Sequence, residues 1–226
     1  SLISIIGSAK IKITQLRLDG AGLTNPAASR LNHLIAVGAA SADVSDVQIM
    51  QCTFTGMVAA SGDGVHVLGD AADLVTRIWV KNNRFDGCSR FGIGIEQGCN
   101  NGWFCDNFLT NCETDIALVA TAAVANNGIQ IRGNHITHTG AVRHAIRIEG
   151  DAGTPSQAVI VAENVILDGF VTYSGVLYGN AINNIVTSGA FASADAVFRV
   201  FGNVSYLPIH GNVIVRASGS SVGPCM

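Results

Sequence analysis

Charge is scarce in this 226-residue chain: Asp, Glu, Lys and Arg together make up 13% of it, about half the share of an ordinary soluble domain. That scarcity, beside 48% hydrophobic residues, excludes a disordered, solvated chain. There is no basic surplus either. The formal net charge is −3, so neither nucleic acid nor an anionic membrane surface is expected as a partner. Long apolar runs are also missing. The longest, Ile116 to Ala125, is broken by Thr121 and falls short of the roughly 18 residues needed to cross a bilayer, so the chain reads as soluble. Six cysteines occur without a CxxC pair, which points away from a zinc ribbon or a thioredoxin-like centre, and neither metal nor cofactor is expected. The amino terminus shows no basic segment followed by an apolar core and starts at Ser1 without an initiator methionine. It reads as a mature product or an excised fragment.

What the chain does have is 26 glycines and a repeat. Two apolar positions flank an outward residue, followed by two variable residues, an Asn, one more residue and another apolar one. The pattern reads IWVKNNRF at Ile78 to Phe85, IQIRGNHI at Ile129 to Ile136, VIVAENVI at Val159 to Ile166 and LPIHGNVI at Leu207 to Ile214. Degenerate copies put Leu16, Cys52, Asn83, Asn107, Asn134, Asn164, Asn184 and Asn212 at the Asn position, with spacings of 36, 31, 24, 27, 30, 20 and 28 residues. Such irregular spacing excludes leucine-rich and ankyrin repeats but suits a solenoid whose coils are interrupted by loops of varying length.

Alternation within each copy is period two, as a half-buried strand requires. A second strand follows a Gly-containing corner in several coils, as in GVHVLG at Gly64 to Gly69, GIGIEQG at Gly92 to Gly98 and AIRIEG at Ala145 to Gly150. The chain is therefore expected to be all-β, a right-handed single-stranded parallel β-helix of about eight coils over residues 1–216, followed by a C-terminal tail, 217–226. An inward Asn at each bend would bond to the Asn of the next coil and to corner backbone groups. Cys88 and Cys112 both lie five residues after their landmark Asn. That register brings their α-carbons within disulfide range but is equally compatible with a reduced buried stack.

The Asn-x-apolar strands, the GIGI-type second strands and LDGAG near Asp19 resemble the right-handed parallel β-helices of the pectin-lyase-like superfamily, including bacteriophage tailspikes and polysaccharide depolymerases. The resemblance covers nearly the whole chain. It implies an extracellular or virion-associated solenoid that binds, and in the catalytic members cleaves, a polysaccharide, with a homotrimer or a further domain before residue 1 as partners. A stand-alone secreted lyase or hydrolase and a non-catalytic adhesive β-helix remain alternatives. The Asp pair and RIK segment of polygalacturonases are not matched: AIRIEG lacks the lysine, and ETDI at Glu113 to Ile116 has no Asp-Asp after it. No catalytic set transfers, and whether the chain is an enzyme stays open.

Any site must come from outward columns. Glu96 and Glu149 are expected two coils apart on one face, about 9.6 Å between backbones, a spacing near that of inverting glycosidases. Small Gly94 and Ala117 would leave a shallow groove beside them, and Asp115 heads the strand between. Substrate contacts are expected from Arg147, His66, His135, Trp79 and Trp103, the two tryptophans holding equivalent outward positions in adjacent coils. Arg132, His135, His138, Arg143, His144 and Arg147 fall within sixteen residues and supply the residue types of a uronate lyase or a basic glycan-binding face. Asp63, Asp70 with Asp73, and Asp151 lie near glycines, which is ordinary turn chemistry more than a calcium site.

Overall fold

The computed structural model describes residues 1–21, 33–38, 42–57, 62–120, 124–139, 143–151, 153–188 and 197–216; the expected tail lies outside these. The described residues form strands and turns, and all the strand pairing is parallel. Three sheets run along the molecule. Sheet A contains Ile3–Ile6, His33–Gly38, Asp63–Leu68, Phe91–Glu96, Thr114–Val119, Arg143–Glu149, Gly169–Ser174 and Phe198–Phe201, each paired with the next. Sheet B includes Val44–Met50, Val75–Lys81, Cys99–Cys105, Asn127–Arg132, Ile160–Ala162 and Asn180–Ile182. Sheet C consists of three- and four-residue strands, among them Thr53–Thr55, Arg84–Asp86, Phe108–Thr110, His135–Thr137 and Val165–Leu167. The chain passes A, B, C and returns to A one coil on, so it folds as the parallel β-solenoid its repeat predicts.

The repeated octamer proves to be two strands and a corner, which gives each coil a third sheet beyond the two strands the alternation suggests. In IWVKNNRF the chain leaves sheet B at Lys81 and enters sheet C at Arg84. The residue before each landmark makes the turn: Gln15, Gln51, Asn82, Asp106, Gly133, Glu163, Asn183 and Gly211 all have φ between 54 and 67°. That left-handed conformation disfavours most L-residues, and Gly133 adds a packing reason for its glycine. A Cβ there would lie 2.5 Å from Asp106 Oδ1 of the preceding coil.

Inside that corner stands the Asn ladder. Asn83, Asn107, Asn134, Asn164 and Asn184 are buried. Each Nδ2 donates to the Oδ1 of the next Asn, at 3.1, 3.0, 2.9, 2.9 and 2.8 Å, and also to a sheet B carbonyl of the preceding coil. Each Oδ1 from Asn107 to Asn212 also accepts the backbone N–H of the Asn before it. The ladder thus satisfies both the amides and the corner backbone, whose polar groups would otherwise be buried unpaired. At Cys52 it ends as a backbone contact alone, with Cys52 N donating to Asn83 Oδ1 at 2.9 Å.

The remaining inward columns are mostly apolar, aliphatic with a few aromatic and cysteine side chains. Ile35, Val65, Ile93, Ile116, Ile146 and Val171 stack through sheet A at 0% exposure, and Phe54 stacks on Phe85 with centroids 4.5 Å apart. Cys88 and Cys112 are buried here as free thiols, the reduced stack of the two alternatives. Contact with Cys88, and then burial, push the Cys112 thiol well above its ordinary pKa.

Candidate functional site

The outer surface of sheet A carries the densest polar constellation among the described residues. Its foundation is register. Ala36, His66, Gly94, Ala117, Arg147, Thr172 and Arg199 form one column, and Gly38, Leu68, Glu96, Val119, Glu149, Ser174 and Phe201 the next but one. Glu96 and Glu149 are therefore two coils apart on one face, as the spacing predicts, with Val119 between them. Each is held by an arginine. Arg147 Nε and Nη2 make a bidentate pair with Glu149 at 2.7 Å each, and Arg90 Nη1 lies 2.7 Å from Glu96 Oε1.

Arg90 leads into a centre whose assembly the sequence pattern does not show, although it names His66, Glu96 and Asp63 singly. Asp63, at the head of its strand and 0% exposed, receives Arg90 Nε on Oδ1 at 2.8 Å and Nη2 on Oδ2 at 2.5 Å. Oδ2 also meets the Nδ1 of His66 at 2.8 Å and of His33 at 3.1 Å, and the two imidazoles stack at 4.0 Å. His66 Nε2 lies 3.9 Å from Glu96 Oε2. Burial alone would raise the pKa of Asp63, but bonds from Arg90, His33 and His66 outweigh it and hold the carboxyl well below its usual range. Burial works against the Arg90 charge too, and Asp63 with Glu96 more than restores it. Chemically this is a histidine oriented by a buried carboxylate, with an arginine and a second carboxylate at its outer edge. His33, Asp63 and His66 are the one group among the described residues whose ligand atoms converge as a metal ion would need. Arg90 already supplies the positive charge such an ion would bring.

Three expectations change. First, there is no open groove at Gly94 and Ala117. Both are buried, and a Cβ on Gly94 would meet Phe91 at 2.8 Å and Asp63 Oδ2 at 3.1 Å, because the Phe91 ring, with Arg90 stacked over it at 4.4 Å, fills that space. Second, Asp115 does not join the glutamates. It is fully buried, with Oδ2 2.7 Å from His138 Nε2, while His138 Nδ1 lies 3.1 Å from Asp168 O. Nδ1 faces a carbonyl, which can only accept, so Nδ1 carries a proton, and Nε2 is in close ion-pair contact with the carboxylate. Burial raises the Asp115 pKa; for His138 burial acts downward, but Asp115 brings the net change upward. Third, the basic cluster of residues 132–147 is a cluster in sequence only. Arg132 ends a sheet B strand, His135 lies on sheet C stacked on Phe108 at 4.9 Å, His138 is buried, and Arg143, His144 and Arg147 are on sheet A.

The other expected contacts also separate by face. His66 belongs to the centre on sheet A but is 4% exposed. Trp79 and Trp103 stack outward on sheet B, 5.0 Å apart and 5° from parallel. Asp70 and Asp151 do behave as turn residues, Asp70 Oδ1 accepting from Ala72 N and Asp73 N and Asp151 Oδ1 from Gly153 N. Asp63 does not. One signal for it was present in the sequence, Asp-x-x-His at Asp63 and His66; that His33 is in register with Asp63 on the neighbouring strand is seen only in the structure. The register is invisible without the loop lengths.

Downstream along the same face, His144 packs against Phe170 and Thr172, and Arg199 lies over the Phe170 ring at 4.1 Å. Burial, then Arg147 and Arg199, lower the His144 pKa to about 4. No helix of the described residues is long and apolar enough to cross a membrane. No curated protein and no solved structure matches the chain. A family model, the right-handed beta helix region, matches residues 1–214, and the chain belongs to that family.

Proposed function

We propose that this β-helix is an extracellular or virion-associated polysaccharide-binding module, of the tailspike kind within the pectin-lyase-like superfamily, that holds an acidic glycan against the outer face of sheet A. The observation that carries the reading is that Glu96 and Glu149, in register two coils apart, are each held by an arginine, Arg90 and Arg147, with Arg199 one column step beyond Thr172. Guanidinium groups match carboxylate geometry, and paired carboxylates accept sugar hydroxyls. If the bound chain is cleaved, the groups placed for it are His66, oriented by Asp63, and Glu96 beside it.

The test is a panel of acidic and neutral polysaccharides offered to the whole chain and to Glu96→Gln/Glu149→Gln and Arg147→Ala variants, with binding and product release measured separately. Retention of an acidic glycan that falls at least tenfold in Arg147→Ala is the expected result. Release of reducing ends lost in the double variant identifies a hydrolase, and a rise in ultraviolet absorbance from unsaturated uronides identifies a lyase. Binding without either product is the adhesive reading. Equal retention by all variants would remove sheet A from the account. Light scattering at the mass of a trimer supports the tailspike assignment, and a monomer counts against it.

A further inference from the structure

A second constellation lies on a different face, near the last coils of sheet B. Tyr178 and Tyr206 stack with centroids 5.1 Å apart and planes 17° from parallel, yet are 58% and 71% exposed. They line an open pocket of about 390 Å³ whose other walls include Ala158, Ile160, Asn180 and Pro208; no charged side chain lines it. Both tyrosines sit in the left-handed region, at φ 59° and 55°. The same bend in other coils is made by Lys10, Asp46, Arg77, Asn101, Gly128 and Ala158, so the geometry of the coil does not demand an aromatic there. At the pocket wall the amide oxygen of Asn180 is enclosed and has no hydrogen-bond partner among the described residues. Asn180 itself lines the pocket, and its χ2 is a soft torsion.

We propose that Tyr178, Tyr206 and Asn180 form a subsite for a neutral pyranose, separate from the face that meets the acidic chain. A sugar ring lays its apolar C–H face on an exposed aromatic platform, and a hydroxyl donates to Asn180 Oδ1, which supplies the missing partner of a buried acceptor. The uncharged lining selects a neutral sugar over a uronate or sulfated one, whose charge would be desolvated there without a counter-ion. Asn180 is also in one outward column with Ile160, Gln130, Trp103 and Trp79. Three coil steps, about 14 Å, separate Trp103 from Asn180, so one oligosaccharide lying along the solenoid axis touches aromatic groups at both ends.

The whole chain, labelled, is applied to an array bearing neutral and acidic oligosaccharides, in parallel with Tyr178→Phe/Tyr206→Phe, Tyr178→Ala/Tyr206→Ala, Asn180→Leu and Arg147→Ala. Neutral glycans should be retained by the wild type, the phenylalanine variant and Arg147→Ala, and weakened at least tenfold by the alanine pair and several-fold by Asn180→Leu. The phenylalanine variant guards against misfolding, since it keeps the rings. The subsite is refuted if no neutral glycan is retained or if the alanine pair retains them unchanged. It is equally refuted if sedimentation shows that the tyrosines hold copies of the chain together and neutral glycans do not bind. Loss of acidic-glycan binding in Arg147→Ala bears on sheet A alone, so the two readings fail separately.

Discussion

Asn134 shows what a single amide does in this fold. Its Oδ1 accepts both N–H and Nδ2 of Asn107 at 3.0 Å, and its Nδ2 donates at 2.9 Å to Phe104 O and to Asn164 Oδ1. Alanine there leaves several buried groups unpaired, each costing about 1–3 kcal/mol, so Asn134→Ala should lower unfolding free energy by roughly 3–5 kcal/mol in urea titrations. Asn212, partly exposed at the end of the ladder, should cost markedly less. The corner residue just before the Asn makes a paired prediction. Gln51 pays for a φ of 56°, so Gln51→Gly should stabilise by about 0.5–1 kcal/mol. Gly133→Ala should destabilise by more than that, from the same φ penalty plus the clash with Asp106. These roles were legible in the sequence because the Asn recurs in each of the better copies. The role of Asp63 was not, since its partners His33 and Arg90 lie 30 and 27 residues away in sequence, across loops whose lengths vary.

At the level of the strand, sheet A differs from B and C in carrying titratable groups into buried surroundings. His144, at the start of Arg143–Glu149, has a pKa lowered to about 4 by burial and by Arg147 and Arg199. The unfolded chain takes up this proton near pH 6.5, before the folded one does. The native state is therefore disfavoured as pH falls from about 6.5 to 4. Unfolding free energy measured across that window should decline in the wild type, and His144→Phe should flatten the decline. Asp63 behaves oppositely in cause though not in sign. Its folded pKa is depressed, so its contribution is complete above the unfolded value near 4 and fades as pH falls below it. Alternation identified these strands and their outward positions correctly, including the two-coil relation of Glu96 to Glu149. It could not identify that Phe91 closes the space beside Gly94, because a ring lying over its neighbour is a matter of rotamer and not of period.

Across the whole molecule the contacts pass from each coil to the next, through the ladder, the aliphatic columns and the parallel pairing of three sheets. Stability in such a solenoid is close to a sum of coil and nearest-neighbour contributions, and its end coils lack one neighbour. Hydrogen exchange should accordingly protect the amides of Cys99–Cys105 and Thr114–Val119 most, and those of Ile3–Ile6 and Val213–Arg216 least. Uniform protection from end to end would mean that the coils unfold as one unit. Many of the exposed apolar residues follow the same logic: Leu2 and Ile6 belong to the first coil, and Phe201, Val213 and Val215 to the last.

The sequence by itself determined the solenoid, its parallel strands and the buried Asn column, because these follow from a short local pattern repeated until every coil shows the same face inward. Only the tertiary structure decided which polar side chains meet. That depends on how each loop resets the register between coils and on which rotamers fit once neighbours are stacked. It therefore separated Asp115 from Glu96 and Glu149, distributed the residues of 132–147 over three sheets, and brought His33, Asp63, His66, Arg90 and Glu96 to one place.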